Sequence, residues 1–139
     1  MCDGNGIPLA LHLTDGQRHD VTQARQTLEQ IRVPRRSGRP RTRPGGLAAD
    51  KGYDSRDFRT YLRKRGIRHS IPRRKDAGKR RVGRPPAYHK NLSRRRWVVE
   101  RLFRAYEGYR RLMLRHERHA FIHLGLLYIA SIIITLRVL

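Results

Sequence analysis

Cys2 is the only cysteine in 139 residues, so neither a disulfide framework nor a cysteine-ligated zinc site can organise the fold. Acid is scarce as well: 11 Asp and Glu stand against 33 Lys and Arg, a formal net charge of +22. A surplus of that size repels itself unless a polyanion neutralises it, which sets the chain apart from ordinary small-molecule enzymes. The hydrophobic fraction, 37%, is low for a self-sufficient core, so the chain is expected to be one domain or part of one and to lean on missing neighbours. Met1-Cys2-Asp3-Gly4 offers neither a basic n-region nor an apolar run, so no secretory leader is read there and a cytoplasmic location is expected. The closing apolar stretch, residues 121–136, is interrupted by His123 and falls short of the roughly 20 residues a membrane span needs. It is expected to be a buried core helix, with no membrane involved.

What the chain has in quantity is arginine, which supplies all but five of its basic residues. Guanidinium groups grip phosphate oxygens bidentately, and nucleic acid is the obvious polyanion. Two stretches concentrate the charge: "PRRSGRPRTRP" at 34–44 and "RRKDAGKRRVGR" at 73–84, the latter closed by Pro85 and Pro86. Both 34–44 and 73–86 read as basic linkers or loops, too polar and too broken to fold by themselves. In a chain of this charge, Arg73, Arg74, Lys75, Lys79, Arg80, Arg81 and Arg84 are candidate phosphate contacts.

Asp3-Gly4-Asn5-Gly6 is a turn, and the alternation in residues 7–13 suits a strand leaving it. Only Met1 and Cys2 precede the turn, so the first arm of this hairpin is expected to be cut off and the chain truncated at its N-terminus. His12 reads as a strand-face residue, because no partner sits at metal spacing. Residues 21–31 read as a helix with Ala24, Leu28 and Ile31 inward, capped by Asp20 or Thr22. Residues 56–65 read as a second helix with Phe58, Tyr61 and Leu62 inward, ended by Gly66, and residues 67–72 as a short strand. Helix followed by strand implies an α/β layer arrangement.

Two carboxylates stand out. Asp50 ends the short run Gly46-Leu47-Ala48-Ala49 and precedes Lys51-Gly52-Tyr53. A carboxylate at the C-terminal end of a strand with a helix after it is where α/β folds keep their chemistry; a turn aspartate is the plain alternative. Glu100 lies on a long helix beginning between Tyr88 and Ser93 and running to about Met113. Apolar positions at spacings of three and four (Val98, Val99, Leu102, Phe103, Tyr106, Tyr109) define its inner face. Trp97, beside Val98 and Val99, is expected in the core more than stacked on a base. Glu100 falls in a stripe with Arg96, Arg104, Glu107 and Arg111, so a ladder of surface ion pairs is its plain alternative.

Together "LAADKGYDS" and "RRRWVVERLFRAYEGYRRLMLRHER" resemble the second and third catalytic segments of bacterial insertion-sequence transposases of the DDE type, families four and five. The likeness extends to "CDGNGIPLALHLTDGQRHD" and "YLRKRGIRHSIPRR", nearly the whole chain. Arg96 and Glu100 match the family's glutamate helix, whereas Ser93 stands where Tyr is expected and Glu107 where Lys is expected. The resemblance implies a ribonuclease H-like mixed five-stranded sheet flanked by helices, here N-terminally truncated and lacking its first strands. It implies Asp50 and Glu100 as catalytic and metal-binding carboxylates in a two-ion Mg²⁺ site whose first Asp lies upstream of Met1. Asp3, Asp15 and Asp20 do not replace that residue, since each falls in a turn or cap. The expected activity is phosphodiester cleavage and strand transfer at insertion-sequence ends, with Arg96 and Arg104 contacting DNA. The expected partners are double-stranded DNA at the ends and target, an upstream-frame transposase segment and possible further copies of the chain; the chain alone is expected to be inactive. A non-catalytic basic nucleic-acid-binding protein is the competing reading.

Overall fold

The computed structural model describes residues 1–14, 19–74, 88–114 and 117–138. Its centre is a strand, crossover and strand. β1 (Gly46–Ala48) runs into a 3₁₀ turn (Lys51–Tyr53) and α2 (Arg56–Lys64), and the chain returns as β2 (Arg68–Ser70). The strands are parallel, with Leu47 opposite His69 and Ala48 opposite Ser70, and parallel strands need such a crossover. α2 closes at Gly66, whose φ of 64° suits a residue without Cβ. The Gly66 amide donates to the Arg63 carbonyl and the Ile67 amide to that of Leu62, the usual way of satisfying a helix's last carbonyls. α1 (Asp20–Glu29) packs against this unit. Ala24, Leu28 and Ile31 meet Phe58, Leu62, Ile67 and Ile71 in the larger core cluster.

Beyond β2 come α3 (Lys90–Arg94), α4 (Trp97–Glu107), α5 (Arg110–Met113) and α6 (Ala120–Val138). Leu102 and Tyr106 of α4 join Ala130 and Ile134 of α6 in a second cluster. The Tyr106 hydroxyl meets the Ser131 hydroxyl at 2.7 Å. The α/β reading is therefore right, with a small parallel sheet and several helices. Among the described residues the sheet has two strands.

Several expectations need correction. The continuous helix to Met113 is instead three helices, broken at Arg95–Arg96 and at Gly108–Tyr109. At the first break the bonds shorten to i→i+3, from the Arg96 amide to Ser93 and from the Val98 amide to Arg95, a tightening that interrupts the α-helix without proline. Trp97 is not core but 54% exposed, with the Arg101 guanidinium 5.0 Å from its ring centroid. Val99 and Phe103 also face outward, and the buried stripe is Val98, Leu102 and Tyr106. Residues 7–13 are extended without a ladder; the hairpin reduces to one antiparallel bridge, Cys2 to Pro8. Neither Asp20 nor Thr22 caps α1 through a side-chain acceptor: His19 is the N-cap, and the Thr22 hydroxyl donates to its carbonyl. His12 faces α1 and bonds Gln23 and Gln30.

α6 departs furthest from expectation. It is 19 residues long with mean hydropathy 2.0, yet only Ala130, Ser131 and Ile134 are buried. Phe121, Tyr128, Ile129, Ile132 and Leu136 are exposed. By length and composition it could cross a membrane, a test that the core helix of a soluble protein also passes.

His69, opposite Leu47, is expected to give the fold a pH dependence. Burial holds its imidazole below the ordinary value, reinforced by Arg59, Arg63 and His89. A lowered folded-state value means that the unfolded chain takes up the proton first, so stability is full above about pH 6.5 and falls as pH drops through the folded value. Thermal melts from pH 8 to pH 5 are expected to show a decline below pH 6.5 that is smaller in His69→Asn; identical profiles would remove His69 as the cause.

Candidate functional site

Asp50 sits where β1 gives way to the 3₁₀ turn. The Ala49 amide donates to the Ser70 carbonyl, so pairing with β2 continues up to the residue before the carboxylate. Asp50 itself is extended, and its Oδ1 accepts from the Gly52 amide at 2.8 Å. A Cβ at Gly52 would lie 2.9 Å from Oδ1, so a larger residue there would push the carboxylate from its cap. The turn-aspartate reading is thus realised, but it uses one oxygen. Asp50 is exposed, and among the described residues its second oxygen takes no hydrogen bond.

The turn is held from behind by arginines. Arg59, 8% exposed, bonds Asp54 at 2.9 Å and the Ile71 carbonyl at 2.7 Å, while its buried Nη1 has no partner among the described residues. Arg74 donates its amide to Asp54 and its side chain to the Lys51 and Gly52 carbonyls. A predicted phosphate contact therefore also grips the Asp50 turn. The phenol of Tyr53, at the end of the turn, is raised by burial, then by the charges of Asp20 and Asp50.

The helix that precedes the one carrying Glu100 is anchored to the same sheet. Ser70, fully buried, accepts the His89 amide at 3.0 Å and shares a 2.8 Å hydrogen bond with the Ser93 hydroxyl. Leu92 closes over Gly46, where a Cβ would stand 3.0 Å from its side chain. Ser93, at the position where the resemblance leads one to expect Tyr, thus joins α3 to β2. From that anchor the tightened turn at Arg95–Arg96 leads into α4, with Val98, Leu102 and Tyr106 inward and Glu100 exposed. Among the described residues Glu100 forms no ion pair, although Arg96 and Arg104 stand one turn before and after it. The ladder of surface pairs, the plain alternative for Glu100, does not form around it among the described residues. Arg96 is half-buried and Arg104 exposed.

Two further arginines escaped the sequence reading. Arg101, next to Glu100, donates to the Asn5 carbonyl at 2.7 Å, and Arg95 lies against Gly4. They fasten α4 to the turn in which Asp3 Oδ1 accepts the Asn5 and Ile7 amides. Arg101 and Asn5 are 96 residues apart, so no local pattern could have shown it. Of the predicted DNA contacts Arg73 is exposed, and Lys75, Lys79, Arg80, Arg81 and Arg84 lie outside the described residues. Asp50 and Glu100 sit on segments linked through Ser70. Among the described residues no three His, Cys, Asp or Glu gather into a group that could hold a metal.

A family model described as "Transposase DDE domain" matches residues 1–135. The chain is 40% identical over 123 residues to a Burkholderia cepacia protein assigned as a transposase for insertion sequence element IS402. The match covers 87% of this chain and 53% of that relative, so the chain spans about half the relative's length. No solved structure matches.

Ser70 is the joint between the two candidate carboxylate segments, and its removal is measurable. Ser70→Ala leaves the His89 amide and the Ser93 hydroxyl without their buried partner, which costs about 1–3 kcal/mol. Urea unfolding is expected to show that loss; an unchanged midpoint and slope would mean that the joint contributes nothing.

Proposed function

The chain belongs to the transposase DDE-domain family, and from that premise we propose that it is the C-terminal portion of a transposase catalytic domain with a ribonuclease H-like fold. It would contribute Asp50 and Glu100 to Mg²⁺-dependent phosphodiester cleavage and strand transfer on double-stranded DNA at insertion-sequence ends. The observation carrying this reading is Glu100: an exposed carboxylate, flanked by Arg96 and Arg104 on its own helix, that pairs with none of the described residues. An exposed carboxylate left unpaired on its own helix is available to a hard cation.

The donor chemistry fits in kind. Mg²⁺ takes hard oxygen ligands, few of them from protein, and Asp50 and Glu100 each have carboxylate oxygen free of other bonds among the described residues. It fits incompletely in number, since the third carboxylate would come from an upstream segment. When bound, the ions would activate the attacking oxygen and stabilise the leaving one. The protein's own share is positioning and charge. Gly52 fixes the Asp50 carboxylate, Ser70 and Ser93 fix α3 on the sheet, and α4 carries Glu100 from there. Arg96, Arg104, Arg73 and Arg74, with Lys75, Lys79, Arg80, Arg81 and Arg84, would neutralise backbone phosphates, which makes affinity fall steeply with salt. The protein would work in the cytoplasm, where chromosomal DNA lies. The exposed face of α6 would be covered by protein, from the upstream segment or a further copy, with no membrane involved.

Alone, this chain is expected not to cut DNA, because two carboxylates do not hold both ions against the scissile phosphate. Joined to an upstream segment that restores the first Asp, it is expected to cleave and join element ends with Mg²⁺. Asp50→Ala and Glu100→Ala in the joined protein should each lower activity at least about 100-fold. Full activity in either variant, or cleavage by the chain alone, would overturn the assignment.

A further inference from the structure

The segment 34–44, read as a basic linker or loop, is a loop pinched into a hairpin by one antiparallel bridge, Val33 to Arg41. Val33 and Arg41 exchange both backbone hydrogen bonds, at 3.0 and 2.8 Å, and Gly38 takes the bend at φ 85°. Its far end is tied to the α2–β2 corner. Arg43 donates to the Arg65 carbonyl, Arg65 to that of Thr42, and Arg68 to that of Gly45. Arg35, Arg39, Arg41 and Arg43, with Gly45 and Gly66, line a shallow concavity of about 410 Å³.

The charge in this concavity is uncompensated. Residues 34–45 contain five arginines and no acid, and among the described residues none of the five forms an ion pair. Arg35 and Arg39 have no side-chain hydrogen bond there, while Arg41 and Arg43 each spend one donor on a backbone carbonyl. Four guanidiniums held together by an ordered hairpin remain largely unspent. Planar forks of that kind suit oxyanions with several acceptor oxygens, above all phosphate.

We propose that this hairpin is a second phosphate-binding site, one that grips the backbone of the same DNA duplex offered to Asp50. The inference rests on the reading of the chain as a DNA-binding transposase segment. Distance supports it: Gly45 borders the concavity and Asp50 lies five residues further on, at most about 16 Å along extended chain. That is less than half of one duplex turn of about 34 Å, and such a length of axis carries about nine phosphate charges. One duplex can therefore reach both places without bending. The site reads no sequence; it fixes where the backbone lies relative to the carboxylate.

The test is fluorescence anisotropy of the full chain with a labelled duplex across a salt series. Arg35→Ala with Arg39→Ala is compared with a charge-matched remote pair, Arg118→Ala with Arg137→Ala, all checked for unchanged melting. Losing two phosphate contacts is expected to reduce the log–log salt slope by about 1.8, against less than half of that for the remote pair. Arg35→Lys with Arg39→Lys should restore most of the slope. Equal slopes for the two alanine pairs would overturn the site while leaving DNA binding intact. Salt-independent binding by the unaltered chain would remove the DNA-binding reading and the site with it. Loss of single-stranded RNA binding in the hairpin pair, with duplex affinity unchanged, would assign the site to RNA and overturn the proposal as stated.

Discussion

The buried hydroxyl and carbonyl of Ser70 are what the rest of the arrangement depends on. The carbonyl accepts from Ala49, immediately before Asp50, and the hydroxyl accepts from His89 and pairs with Ser93 on the helix that leads to Glu100. A polar side chain with no solvent exposure is tolerated only where its bonding capacity is filled. Filling it fixes three chain segments at one point. The register of β2 against β1 and the seat of α3 on the sheet are thus a single constraint, and both candidate carboxylates inherit their placement from it.

The shortage of acid shapes the rest. With few carboxylates to pair, the arginines bond backbone carbonyls instead: Arg74 to Lys51 and Gly52, Arg101 to Asn5, Arg43 to Arg65, Arg65 to Thr42. A guanidinium bound to a neutral carbonyl is positioned but keeps its full charge. These residues therefore serve the fold while their charge stays available to a polyanion. Among the described residues the two closest ion pairs differ in kind. Arg59 and Asp54 meet almost without solvent, at 9% and 1% side-chain exposure, whereas Arg25 and Glu29 are an exposed pair one turn apart and add little to stability.

Much of the first half of the chain was legible in its sequence because its determinants are local. The inward spacing of Phe58, Tyr61 and Leu62, the stop at Gly66 and the short strands on either side all reappear in the structure. The failures share a cause in contacts between distant segments. No residue type announces the break at Arg95–Arg96, which follows the docking of α3 on Ser70. Arg59 is buried because Asp54 and the Ile71 carbonyl meet it there, while in sequence it is one arginine among many. The hairpin of residues 34–44 gains order from Arg65 and Arg68, more than twenty residues away. α6 is predominantly apolar, a pattern that suits burial, yet many of its large side chains are exposed. The candidate site divides the same way: Asp50 and Glu100 were visible as residues, but the Ser70–Ser93 joint between their segments was not.

The proposal that Asp50 and Glu100 belong to one metal centre is tested directly by Mn²⁺ binding followed by electron paramagnetic resonance, with Mn²⁺ standing in for Mg²⁺. The unaltered chain, Asp50→Asn, Glu100→Gln and the double variant are titrated side by side, and the pattern of affinities is decisive. Residues that share an ion couple, so each single variant should lose roughly tenfold or more in affinity and the double variant should lose little beyond either. Affinities unchanged in both single variants, or losses that simply add in the double, would show that the two carboxylates do not form one site.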